Sequence, residues 1–204
     1  MGNKLFYVVI GIVVVGFIVA FLFIRDYQSD PENLSDTGYY PYTDIAASDL
    51  QGPTVDLLDN ENYQLNRTLE ETVEVVQQET DGVFVYFWSP VCSFCLNATP
   101  NLIEAFDQID ANLVQLNLLE YAAGAQVFMI PSTPTLVYYE NAQEVERLEG
   151  DPEDSETFLA FMQAMVDGET FVTEDAVDDD AATDIEDATD TEEESSEDTE
   201  DEDQ

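Results

Sequence analysis

Cys92 and Cys95 are the only cysteines in the chain, and two residues separate them in Trp88-Ser89-Pro90-Val91-Cys92-Ser93-Phe94-Cys95. Thiols at that spacing close a small disulfide ring and reopen it. The apolar run Val83-Phe84-Val85-Tyr86-Phe87-Trp88 precedes them, so the pair falls where a buried strand ends and a helix begins. A cysteine at the start of a helix meets unpaired backbone N–H groups, whose partial positive charge favours thiolate. The thiolate is the reacting species. Cys92 is therefore the candidate nucleophile, and Cys95 is the thiol that resolves a mixed disulfide.

Other chemistries are poorly supplied. The chain has no histidine, which removes Ser-His-Asp and Cys-His nucleophile pairs and the commonest metal ligand. Two cysteines make half of a structural zinc site, and no second Cys or His pair completes it. With 46 acidic residues against 4 basic ones, nothing neutralises phosphates, so nucleic acid is excluded as a partner. No metal and no dissociable cofactor are expected; the cysteine pair is itself the redox group.

The elements that hold the pair follow from pattern. Leu5 to Ile24 is an unbroken apolar run of the length a bilayer-spanning helix needs, with Lys4 before it and Arg25 after it. A cleaved signal peptide is the rival reading. Its apolar region would be too long, and no small-x-small cleavage site precedes Arg25. We therefore expect an uncleaved anchor over residues 1–25, in the membrane through residues 5–24, with the acidic bulk of the chain exported. Residues 26–53 read as a polar spacer containing Pro31, Pro41 and Pro53. Tyr39, Tyr40 and Tyr42 either pack on the following domain or rest at the membrane interface. Residues 167–204 hold 20 acidic side chains and no periodic apolar face, which predicts a solvated, disordered tail.

One α/β domain is expected over residues 54–166. Tyr63 to Asn66 is a candidate short strand. Thr68 opens a helix through Gln78, with Glu71 three residues on at capping-box spacing. Strand 83–88 follows Gly82, then a helix from Cys92 to about Ile109 interrupted by Pro100. Strands are expected over Asn112–Leu118, Thr135–Glu140 and Glu144–Leu148, with a short helix or loop at Tyr121–Val127. Ser155 to Val166 is an amphipathic helix. Strands alternating with helices, then a hairpin and a last helix, predict a mixed central sheet flanked by helices.

This order, with Cys-x-x-Cys at the first strand-to-helix junction, resembles the thioredoxin fold. Trp88 stands four residues before Cys92, and Pro100 five after Cys95, as in that family. Thr133-Pro134-Thr135-Leu136 looks like the family's loop with a cis proline, and Gly150 like its late glycine. The resemblance implies that Cys92 and Cys95 form a redox-active disulfide, and that Thr133, Pro134 and Trp88 receive a protein substrate. Two departures stand out. The family's buried aspartate falls at Tyr86, and the lysine that pairs with it falls at Gln115.

The function expected is thiol–disulfide exchange on protein substrates by a single-pass, extracytoplasmic protein at the cell membrane, recycled by a redox partner. The layout is similar to anchored thioredoxin-like proteins that accompany bacteriocin export. The alternative is a non-catalytic adaptor for secretion, in which Cys92–Cys95 is only structural.

Overall fold

The computed structural model describes residues 2–28 and 34–171; the expected tail lies almost wholly outside them. Helix α1 spans Gly2–Gln28. Its stretch Phe6–Phe23 has a mean hydropathy of 3.0 and every side chain exposed. At 1.5 Å per residue the helix is about 40 Å long, enough to cross a bilayer.

The folded part then runs α2 (Gly52–Val55), a 3-10 turn (Glu61–Tyr63), α3 (Leu69–Gln78), β1 (Val83–Trp88), α4 (Ser93–Phe106), β2 (Leu113–Asn117), α5 (Ala123–Val127), β3 (Thr135–Glu140), β4 (Gln143–Glu149) and α6 (Ser155–Asp167). The sheet order is β2-β1-β3-β4. β1 and β2 are parallel, whereas β3 is antiparallel to both of its neighbours. This is the mixed central sheet flanked by helices that the alternation predicts.

β1 is the centre because all six of its side chains are apolar or aromatic and buried on both faces. Phe84, Tyr86 and Trp88 pack towards α4 and α6, where Leu102, Phe158, Phe161 and Met162 meet them. Val83, Val85 and Phe87 fill the opposite layer with Val76, Leu116, Phe128 and Val137. The period of two in the strand thus feeds two cores. Gly82, with φ of 94°, gives the chain its entry to β1; a Cβ there would collide with the hydroxyl end of Tyr138. α3 begins at the expected capping box: the Glu71 N–H donates to Thr68 Oγ1 at 3.1 Å, and the Thr68 N–H to Glu71 Oε2 at 3.0 Å.

Two expectations are corrected. Tyr63–Asn66 is not a strand. The Asn60 side chain caps the 3-10 turn by accepting from the Asn62 N–H, and only Asn66 bridges the sheet, opposite Gln115. The helix after Cys92 ends at Phe106, and Asp107–Ile109 close it as turns.

The stretch read as spacer is also packed from Leu34 onwards. Tyr42 is 2 % exposed and sits in the second core with Leu50 and Leu58. Buried Asn117, the last residue of β2, donates through Nδ2 to Tyr42 Oη at 3.2 Å and Thr54 Oγ1 at 3.0 Å. The Tyr121 hydroxyl donates to Asp44, and the Thr54 hydroxyl to Glu120. Asp59 accepts from the Ser35 hydroxyl at 2.6 Å and from the Asp36 and Thr37 N–H groups at 3.0 Å each. These donors, Ser35 foremost, hold its carboxyl well below the usual carboxylate range. Of the two places open to the tyrosines, Tyr40 and Tyr42 are packed on the domain.

Candidate functional site

The site is built where β1 runs out of apolar residues. Trp88 ends the strand, Ser89-Pro90-Val91 turn the chain, and the Cys92 N–H donates to the Ser89 carbonyl at 3.1 Å. Cys92 is extended, with φ of −93° and ψ of 114°, and forms the N-cap of α4. Its Sγ takes the role that a serine or aspartate oxygen has at other caps, accepting the Cys95 N–H at 3.2 Å. No acidic residue occupies the first turn of α4.

The two sulfurs differ in surroundings. Both are free thiols in this structure, Cys92 half-buried and Cys95 0 % exposed. Burial pushes the Cys95 thiol up to about 12; its contact with Cys92 adds to the rise, and Thr133 and the Ser89 backbone oppose it. The accessible sulfur is thus the one at the helix terminus.

The loop before β3 closes the other side. The Thr133–Pro134 peptide is cis, and the Thr133 carbonyl accepts the Cys92 thiol at 3.4 Å. The loop is held by the Thr135 hydroxyl on the Ser132 carbonyl at 2.9 Å and by the Gly150 N–H on the Pro134 carbonyl at 3.0 Å. Cys92, Cys95, Thr133 and Pro134 are therefore together, although 37 residues separate Cys95 from Thr133 in the chain. Trp88 lies beneath them, 1 % exposed, its ring against Tyr63 at a centroid distance of 4.3 Å. Its indole N–H donates to Asn66 Oδ1 at 2.9 Å. At the surface beside Cys92 stand Val91 and Phe94, 64 % and 63 % exposed.

Tyr86 and Gln115 face each other across β1 and β2, both fully buried. The Thr99 hydroxyl donates to the Cys95 carbonyl at 2.6 Å, so its one proton is committed, and the Tyr86 hydroxyl, 3.1 Å away, donates to Thr99. Burial drives the Tyr86 phenol well above its ordinary value. Gln115 donates to the Asn62 carbonyl at 2.8 Å. The positions beneath Cys95 thus hold neutral, hydrogen-bonded groups. Thr99 and Asn66 were not singled out by sequence reasoning. Thr99, four residues after Cys95 and so on the same helix face, carried a usable signal; Asn66 carried none. Among the described residues, no group of three or more His, Cys, Asp or Glu side chains is placed to hold a metal.

The family model described as Thioredoxin matches residues 64–164. A thioredoxin of Mycoplasma genitalium is 32 % identical over 85 residues, which cover 41 % of this chain and 82 % of that protein. Among solved structures, a mutant thioredoxin from Halobacterium salinarum NRC-1 is 22 % identical, covering 53 % of this chain and 92 % of its own, with a TM-score of 0.43. A reduced thioredoxin pre-protein of Schistosoma mansoni is 20 % identical, covering 51 % and 93 %, with a TM-score of 0.42.

Proposed function

Because the chain belongs to the thioredoxin family, we propose that it is a membrane-anchored, extracytoplasmic thiol–disulfide oxidoreductase acting on protein substrates. The observation that carries the reading is Cys92 Sγ at the N-cap of α4, between the Cys95 N–H and the Thr133 carbonyl. The Cys92 thiolate attacks a substrate disulfide, forms a mixed disulfide and releases one substrate thiolate. Cys95 then gives up its proton and attacks Cys92 Sγ. The Cys92–Cys95 disulfide forms, the second substrate thiolate leaves, and two electrons have passed to the substrate. The reverse sequence oxidises a substrate dithiol. Thr133 and Pro134 receive the substrate strand beside Cys92, and Trp88 supports that surface from below. Helix α1 supports anchoring by its length and apolarity, and the scarcity of basic residues after Arg25 supports export. A partner protein or small thiol recycles the pair, since the chain has no other cysteine.

Tyr86 and Gln115 favour the second reading, a thioredoxin-like adaptor that binds a secretion partner and catalyses nothing. Disulfide exchange by the purified chain, together with the potential of the Cys92–Cys95 couple, separates the two. The enzyme reading expects exchange with a model disulfide, abolished in Cys92→Ser. Absence of exchange, with a potential below the range of known exchange catalysts, selects the adaptor.

A further inference from the structure

The chain between the anchor and the redox site is far shorter in reach than its sequence suggests. A free spacer over residues 26–53 could extend roughly 90 Å at 3.3–3.6 Å per residue. The packing of residues 34–58 removes most of that length. Helix α1 runs to Gln28, and Leu34 already packs on the second core. Ser35, Asp36 and Thr37 are bonded to Asp59. Six peptide steps separate Gln28 from Leu34, a span of at most roughly 20 Å.

Soon after it enters the fold, the chain passes the redox end. The Tyr39 hydroxyl donates to the Asn66 carbonyl at 3.4 Å, and the side chain of that same Asn66 accepts the Trp88 indole N–H. Tyr42 is bonded to Asn117, which pairs with Trp88 across the strands. Trp88 is four residues from Cys92. Two hydrogen bonds and one short loop therefore connect Tyr39, 11 residues past the end of α1, with the nucleophile.

We propose that residues 34–58 act as a latch that holds the redox site close to the bilayer, so that its substrates are disulfides in polypeptide segments lying near the membrane surface. This rests on the anchored exchange reading above. A short tether concentrates Cys92 in a thin layer over the membrane and excludes disulfides held beyond its reach, which is the effective-concentration rule applied to one surface. Within that layer the chemistry is ordinary exchange. The reduced pair supplies two electrons, the substrate disulfide opens to two thiols, and Cys92–Cys95 closes.

The test uses the full-length, reduced chain in liposomes, at one turnover so that no recycling reductant is needed. Two transmembrane peptides share the tether: each carries the same disulfide loop on a polyproline stalk, of about 4 or about 26 residues, placing it about 10 Å or about 80 Å above the bilayer. The expected result is thiol release at least tenfold faster from the short stalk. Inserting 30 Gly/Ser residues between Gln28 and Leu34, an added r.m.s. reach of about 30 Å, should raise the rate on the long stalk at least threefold. Equal rates on the two stalks for the natural chain, or no effect of the insertion, would overturn the latch. No thiol release from either stalk, nor from a soluble model disulfide, overturns the exchange reading and the latch with it. Release from the soluble disulfide but from neither stalk overturns the latch alone.

Discussion

Cys92 and Cys95 are one residue type given two environments, and the asymmetry sets the order of chemistry. Cys92 is half-buried at a helix terminus; Cys95 is enclosed by Trp88, Ala98 and Leu102 in the first core. Burial raises the Cys95 thiol to about 12, so at neutral pH only a small fraction is thiolate. That fraction grows about tenfold per pH unit until the pH nears 12. Resolution of a mixed disulfide should therefore accelerate about tenfold per unit between pH 7 and pH 9, measured by single-turnover release of the second substrate thiol. Cys95→Ser should stop the reaction at the mixed disulfide, visible as a covalent complex that reducing agent dissolves. Tyr86 tests whether the buried phenol takes part. Its proton is donated to Thr99, which makes it a structural bond and not a base. Tyr86→Phe should cost about 1 kcal/mol of stability, by urea denaturation, and leave the exchange rate within about twofold. A rate loss of tenfold or more would assign the phenol a proton-handling part.

Elements were legible where one local rule decided them. β1 is a run of six apolar residues that only a doubly buried strand accommodates; the Thr68-x-x-Glu71 spacing fixes the start of α3; Thr133-Pro134 before an apolar run gives the loop and β3. What stayed hidden depended on partners distant in the chain. Residues 34–53 look polar because their contacts are few and separated: Tyr42 on Asn117, Asp44 on Tyr121, Gln51 on Glu120. Tyr63–Asn66 has the residues of a strand, but its neighbours Asn60 and Asn62 spend their polar groups on a 3-10 turn and on Gln115. Two variants act at this scale. A chain beginning at Pro53 loses Tyr42 and Leu50 from the second core, and at about 1.5–3 kcal/mol per buried side chain should unfold at lower urea by about 3–6 kcal/mol. Gly82→Ala must place a Cβ at positive φ against the hydroxyl end of Tyr138. It should cost about 2–4 kcal/mol, and Gly82→Ala with Tyr138→Leu should recover part of that loss.

At the scale of the whole molecule, the proton balance of folding is dominated by buried phenols. The chain has ten tyrosines. Tyr42, Tyr63, Tyr86, Tyr121 and Tyr139 are all buried, and burial is the first cause raising each above the ordinary value of 10.0. Cys95 adds one thiol raised from 9.0. A group whose folded value lies above its unfolded value keeps its proton longer in the native state. Its contribution is complete below the unfolded value and is lost as the pH climbs towards the folded one. The unfolded thiol titrates first, near 9, and the unfolded phenols near 10. Stability should thus be level from pH 7 to about pH 9 and fall steeply from pH 10. Each buried phenol removes about 1.4 kcal/mol per pH unit once the unfolded chain ionises, so several acting together match the 5–15 kcal/mol that holds a small domain folded. The net charge of −42 adds self-repulsion in the same direction, and raising the salt concentration separates the two causes by screening only the second. Urea midpoints against pH, with phenolate absorbance followed alongside circular dichroism, measure the effect. The phenols should ionise in one cooperative step that coincides with loss of helix and sheet, and the step should persist in high salt. Gradual ionisation from pH 10 with the fold retained would mean that the tyrosines are open to solvent in solution.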